Sequence, residues 1–338
     1  MGQNNIVSLL IAGELTEDFI IDLNGKARNR VAGGSGAYAC AGARFWNDRI
    51  GLISRAGKSF PEEWLTQFRK KEIDTHGVLR LAQDYDQRRH FFWRENDAFT
   101  NDNPILGYAR YGLTFPHELL GYAPVKLETI DQMWKNTSPR LNPTFPQEYL
   151  DAKAAHIAPI SFPAQVKLLN LLQKGSLNTI TLSASDDAMI PEVISELPGI
   201  LSGLFAFFAT EKQLISLYKN KAWNVWEMAM DLAAMGTSII VIHRGDKGYW
   251  LYDRNSQKKY SLPFYPTRWI DPTGIKDVFA GSFLAKFKQE YAPIDAFLYS
   301  AAAASVAVEG TGPFYLLDSF PGLIEARVEV LKNMLSTV

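Results

Sequence analysis

The chain has 338 residues, 47% of them hydrophobic and 21% charged, which suffices for a large buried core in one elaborated domain or two. Lys plus Arg number 35 against 36 for Asp plus Glu, a net charge of -1, so electrostatics point to neither nucleic acid nor an anionic membrane as a main partner. The single cysteine, Cys40, excludes an intramolecular disulfide and a cysteine-based zinc site, and points to a cytoplasmic protein.

In chain order, the apolar run from Ile6 to Ala12 has no basic residue before it and acids after it, and reads as a first buried strand rather than a signal peptide. Phe19–Leu23, Gly77–Ala82 and Gln87–Arg94 are short, rich in β-formers and separated by polar turns, which predicts a small separate sheet. From Asn101 to Pro146 the chain is rich in proline and aromatics without periodicity, the mark of a functional or mobile insertion. Beyond it, apolar runs at Ala154–Ile160, Thr179–Ser183, Leu204–Ala209 and Ser238–His243 read as buried parallel strands. Helical patterns lie between them at about Pro163–Lys174, Ile190–Leu197, Glu211–Asn220 and Ala222–Met235. This alternation implies an α/β fold with a mostly parallel central sheet covered by helices on both faces. Tyr249–Asp253 and Lys259–Leu262 flank Arg254-Asn255-Ser256 as a hairpin, and helices follow at about Ile275–Glu290, Pro293–Val308 and Pro321–Leu335. His156 and His243 end strands and read as satisfied strand-end histidines, while Trp223, Trp226 and Cys40 read as core.

The densest chemistry lies in Asp271-Pro272-Thr273-Gly274-Ile275-Lys276-Asp277. A strand ends there and a helix begins, so free N–H groups and the positive helix end make a phosphate or oxyanion site. Asp277 in the first turn is placed to take a proton from a hydroxyl beside that site. The same residues also suit a purely structural reading, in which Asp271 and Thr273 cap the helix and Asp277 favours its dipole.

This run resembles the Asp-Thr-Thr-Gly-Ala-Gly-Asp signature of the ribokinase-like (PfkB) carbohydrate kinases, and further segments resemble that family in the same order. Gly13-Glu14 with Asp18 is similar to its first strand and sugar-binding aspartate, and Ala32-Gly33-Gly34-Ser35-Gly36 to its Gly-Gly motif. Ile242 to Gly248 is similar to its nucleotide-side Gly-x-x-Gly turn, and Ala301 to Glu309 to the helix behind its adenine pocket. The resemblance implies a single three-layer domain over residues 1–338 with a β-sheet lid from roughly residues 14–31 and 77–112. It implies ATP-dependent, Mg2+-assisted phosphoryl transfer to a sugar, cyclitol or nucleoside. It makes Asp277, Lys276 and Gly274 catalytic, and Asp18, Gly33, Gly34 and Tyr38 substrate-binding. Arg244, Gly245, Gly248, Thr273, Ala301 and Ser305 then hold the nucleotide, and the exposed lid edge offers a homodimer surface.

The sequence also departs from the family pattern. Gly-Ala-Gly-Asp reads Gly274-Ile275-Lys276-Asp277, so Lys276 either supplies positive charge to the phosphates or pairs with Asp277 and fills the anion hole. The family's Asn-x-x-Glu aligns with Thr210-Glu211-Lys212-Gln213, where Gln213 brings no charge to a magnesium ion, and no metal ligand is assigned. Two functional readings follow: a working kinase, or a descendant that binds a sugar or nucleotide in a regulatory role.

Overall fold

Strands rich in β-branched and aromatic residues, buried on both faces, build the centre of this protein. The structure is a computed structural model, and it describes residues 7–95, 98–100, 103–123, 146–219 and 221–338. Among the described residues, seven strands run parallel along the main path of the large sheet: β1 (Leu9–Ala12), β4 (Ile50–Ala56), β5 (Ile73–Asp74), β9 (Ala154–Ile157), β10 (Thr179–Ser183), β11 (Ala206–Thr210) and β12 (Ile239–His243). Their order is β5-β4-β1-β9-β10-β11-β12. The sheet continues antiparallel through β13 (Tyr249–Asp253), β14 (Lys258–Leu262) and the short C-terminal β15 (Ser336–Thr337).

Alternate strand residues feed two cores. Leu10, Ile157, Leu182, Phe207 and Ile240 pack on one face against α4 (Phe162–Leu172), α6 (Glu211–Leu217) and α7 (Val225–Ala234). On the other face, Phe208 and Val241 meet α8 (Ile275–Glu290) and α9 (Pro293–Ala307), while Leu9 and Ile11 meet α1 (Ser35–Arg44). Helices α1 and α8 approach closely through glycine: a Cβ on Gly281 would lie 2.0 Å from the Ala39 carbonyl oxygen, and one on Gly42 would lie 2.1 Å from that of Val278. Because both obstacles are backbone atoms, Gly281→Ala is expected to cost about 1–3 kcal/mol or more, read as a lower urea midpoint with an unchanged slope.

A second sheet of four strands joins β2 (Thr16–Ile21), β3 (Ala27–Gly33), β7 (Arg88–Glu95) and β8 (Ala98–Thr100) in the order β3-β2-β7-β8. Phe19, Ile21 and Phe92 form a small core of its own with Tyr108 and Leu119. Tyr108 comes from α3 (Pro104–Arg110), a helix capped by the Asn103 side chain, which accepts from the Leu106 N–H. Residues 124–145 of the expected irregular insertion lie outside the described residues.

Two expectations need correction. Val78–Arg80 (β6) does not join the small sheet; it pairs in parallel with β4, because the chain leaving α2 (Glu62–Lys70) and β5 stays beside the large sheet. The helix expected over Ile190–Leu197 is a 3-10 turn at Pro191–Val193 followed by α5 (Leu197–Leu201), the two prolines Pro191 and Pro198 each opening a separate short element. The outer edge of β3 exposes Arg28, Asn29 and Arg30. Arginines on an edge strand oppose edge-to-edge pairing.

Candidate active site

The catalytic candidates are placed by the start of α8. Gly274 is its N-cap, with φ 72°, and a Cβ there would lie 2.0 Å from the Tyr38 ring carbon Cγ. Both facts require glycine, and they let α8 begin directly on the aromatic face of Tyr38. Lys276 and Asp277 then fall in the first helical turn, where the dipole favours negative charge.

Two cavities lie along the carboxyl ends of the parallel strands, the usual place for ligands in such sheets. One, of about 380 Å³, is bordered by Glu14, Gly34, Arg89, Phe91, Asp187 and Asp277 among others. The second, of about 450 Å³, is bordered by Trp93, Arg244, Gly245, Tyr249, Pro272 and Ile275. Five residues border both: Asp186, Thr210, Gln213, His243 and Lys276. The site therefore consists of two chambers meeting at a polar junction.

Burial sets the electrostatics. It pushes the Asp277 carboxyl up to about 7, with Lys276 opposing the shift and Glu14 adding to it. Asp18 is likewise raised to about 7 by burial, and Asp271 to about 6, in both cases against hydrogen bonds that favour the ionised form. His243 is held down at about 3 by burial and by Lys276, so its ring is neutral at physiological pH. Lys276 and Asp277 form no ion pair, so the blocking arrangement, with the lysine closed onto the aspartate, is not what the structure contains.

Of the residues singled out in the sequence, Asp277, Lys276, Gly34, Arg244 and Gly245 border the chambers. Gly248 closes the turn beside them, its carbonyl accepting from the Arg244 N–H at 2.9 Å. Arg244 is held over the Trp250 ring at 3.9 Å and within 3.4 Å of Glu211. Asp18 is buried next to the first chamber, its Oδ1 accepting from the Thr16 hydroxyl at 2.6 Å and its Oδ2 without a partner among the described residues. Gly33 is glycine because a Cβ would lie 1.8 Å from that Oδ2; it makes room for the aspartate. The Tyr38 hydroxyl is buried near Asp271, Asp18 and Asp277, without a partner among the described residues. Thr273 accepts from the Trp93 indole N–H at 2.8 Å. Ala301 and Ser305 lie inside the packed core, where the Ser305 hydroxyl donates to the Ala302 carbonyl and accepts from Arg327. Neither borders the described chambers.

His156 is satisfied as expected, 2.9 Å from the Thr181 hydroxyl. His243 is not: its Nε2 is buried at the junction without a partner among the described residues. Sequence reasoning also missed Glu14, Arg89, Phe91, Asp186 and Asp187. Arg89, Phe91 and Trp93 alternate along β7 and face the chambers together, a period-two signal in the sequence; Arg89 lies 3.3 Å from Glu14. Asp186 and Asp187 sit just beyond β10 and carried no such pattern.

Residues 167–318 match the model of the pfkB family carbohydrate kinases. A cytidine kinase from Thermococcus kodakarensis is 28% identical over 285 residues, 84% of this chain and 90% of that protein. Among solved structures, a nucleoside kinase from Burkholderia thailandensis in complex with inosine has a TM-score of 0.70 at 16% identity, over 96% of this chain and 99% of that one. A putative ribokinase II from E. coli in complex with ATP and Mg2+ has a TM-score of 0.64 at 18% identity, with the same coverage. These two likenesses establish the fold.

Proposed function

We propose, from the premise that this chain belongs to the ribokinase-like pfkB family of carbohydrate kinases, that it transfers the γ-phosphoryl group of ATP to a hydroxyl of a small acceptor, with a nucleoside as the first candidate. The observation that carries this reading is a carboxyl at a helix N-terminus bordering one chamber, next to a lysine that borders both and has no ion pair among the described residues.

In this reading the acceptor occupies the chamber of Asp277, and ATP extends along the Arg244–Gly248 turn. The Asp277 carboxylate accepts the proton of the acceptor hydroxyl as that oxygen bonds to the γ-phosphorus. The bond from γ-phosphorus to the β–γ bridging oxygen breaks, and ADP leaves with that electron pair. Lys276 and the N–H groups opening α8 stabilise negative charge on the transferring group without reorganising. Magnesium, when bound with the nucleotide, neutralises phosphate charge. An aromatic face from Phe91 and the polar Glu14–Arg89 pair suit a nucleobase, which offers a π-face for stacking and an edge of donors and acceptors.

A panel of cytidine, other nucleosides, ribose, fructose and inositol, assayed for acceptor-dependent ADP formation with Mg2+, tests this. Turnover is expected with nucleosides, cytidine foremost. Turnover of free sugars alone overturns the nucleoside assignment, and ADP formation indifferent to every acceptor overturns the kinase reading. The regulatory alternative, motivated by Lys276 together with Gln213, is not favoured: Lys276 is not closed onto Asp277, and the matched relative over most of the chain is a cytidine kinase.

A further inference from the structure

The junction between the chambers is bordered by groups of both signs. Among the described residues Lys276 has no ion pair there, and His243 is nine-tenths buried with no partner for its Nε2. Asp186, exposed at the carboxyl end of β10, borders the same space. A lone anion would satisfy the first pair and be repelled by the aspartate, and a lone cation the reverse. A ligand carrying both charges, a divalent cation held on phosphate oxygens, satisfies both.

Asp186 is also held in place. Gln213 is the N3 residue of α6, and its Oε1 accepts from the Thr210 N–H at 2.8 Å within a capping box. Its Nε2 is thereby turned toward Asp186 and donates to Oδ1 at 2.8 Å, with the Ala184 carbonyl at 3.3 Å. Oδ2 makes no hydrogen bond among the described residues. Among the described residues no three metal-ligating side chains converge. This suits magnesium, which keeps several waters and takes one or two carboxylates plus substrate phosphates.

We propose that Asp186 is the carboxylate that engages the magnesium of a magnesium–nucleotide, directly or through its water shell, and that Gln213 is its positioning residue. The proposal rests on the kinase reading. It explains how an uncharged residue at 213 serves a metal-dependent reaction: the amide carries no charge itself but orients the one that does.

The test measures binding of the non-hydrolysable analogue AMP-PCP by calorimetry, with and without Mg2+. Mg2+ is expected to tighten binding to the native protein at least about 10-fold, a difference of 1.4 kcal/mol. Asp186→Asn should lose that gain while keeping the metal-free affinity. The double variant Asp186→Asn with Gln213→Glu should recover it. Glutamate at 213 keeps one oxygen on the Thr210 N–H and puts the other where the amide nitrogen was, next to the asparagine amide. A native protein that gains from Mg2+ while Asp186→Asn gains equally overturns the assignment to Asp186. An Asp186→Asn loss that the double variant fails to restore overturns the compensating role of position 213. A native protein that binds no AMP-PCP under either condition overturns the kinase reading, and this proposal with it.

Discussion

Asp277→Asn is expected to lower turnover by about 10²–10⁴-fold, the usual contribution of a general base, while leaving acceptor binding nearly unchanged. The amide keeps the shape of the carboxyl but cannot take the proton. Burial holds the Asp277 carboxyl at about 7, so kcat/KM of the native protein should fall about tenfold per pH unit below that value and level off above it. Stability should move the opposite way. A carboxyl whose folded pKa lies above its unfolded value contributes stability below the unfolded value, and that contribution is lost as pH rises through about 7. The asparagine variant escapes this loss, so its Tm should exceed that of the native protein at pH 8 and approach it at acid pH. Thermal melts at both pH values, beside steady-state assays, check the pair of effects. Turnover unchanged by Asp277→Asn removes the residue from the role of base.

The second large effect is expected at Lys276. Its replacement by methionine keeps the aliphatic stem and removes the charge from the junction, and kcat should fall by about 10²–10³-fold if the lysine stabilises the transferring phosphoryl group. Lys276 also draws the Asp277 carboxyl downward, so Lys276→Met should move the acid limb of kcat/KM to higher pH. That displacement separates an electrostatic role from a steric one, because a lysine that merely filled space would leave the limb in place. A rise in kcat on Lys276→Met or Lys276→Gly identifies the lysine as an obstruction and overturns its proposed role.

The continuous burial of β9 to β12 was legible in the sequence because a parallel sheet covered on both faces needs unbroken apolar runs, and α4, α6 and α7 were legible between them. The start of α8 was legible too, since a helix N-terminus with an acid in its first turn is a local pattern. Asp277 was read from that pattern, and Lys276, Gly34, Arg244 and Gly245 from the resemblance to the family; all five border the chambers. The role of Gly33 was read from the same segment but for a different reason: its missing side chain accommodates the Asp18 carboxylate, a contact made across β2 and β3.

What the chain alone left undecided are contacts between segments far apart in it. Gln213 reads locally as a lost negative charge, yet its amide meets Asp186, which β10 delivers from 27 positions away. Arg89 comes from the small sheet to meet Glu14 just beyond β1, and His243 reads as an ordinary strand end, yet its Nε2 is buried without a partner among the described residues. Local propensity and periodicity determine which elements form and which way they face. The side chains that share one water-poor space are decided by strand order and by which elements lie across the sheet's carboxyl edge, and that is where the charges of this site are balanced.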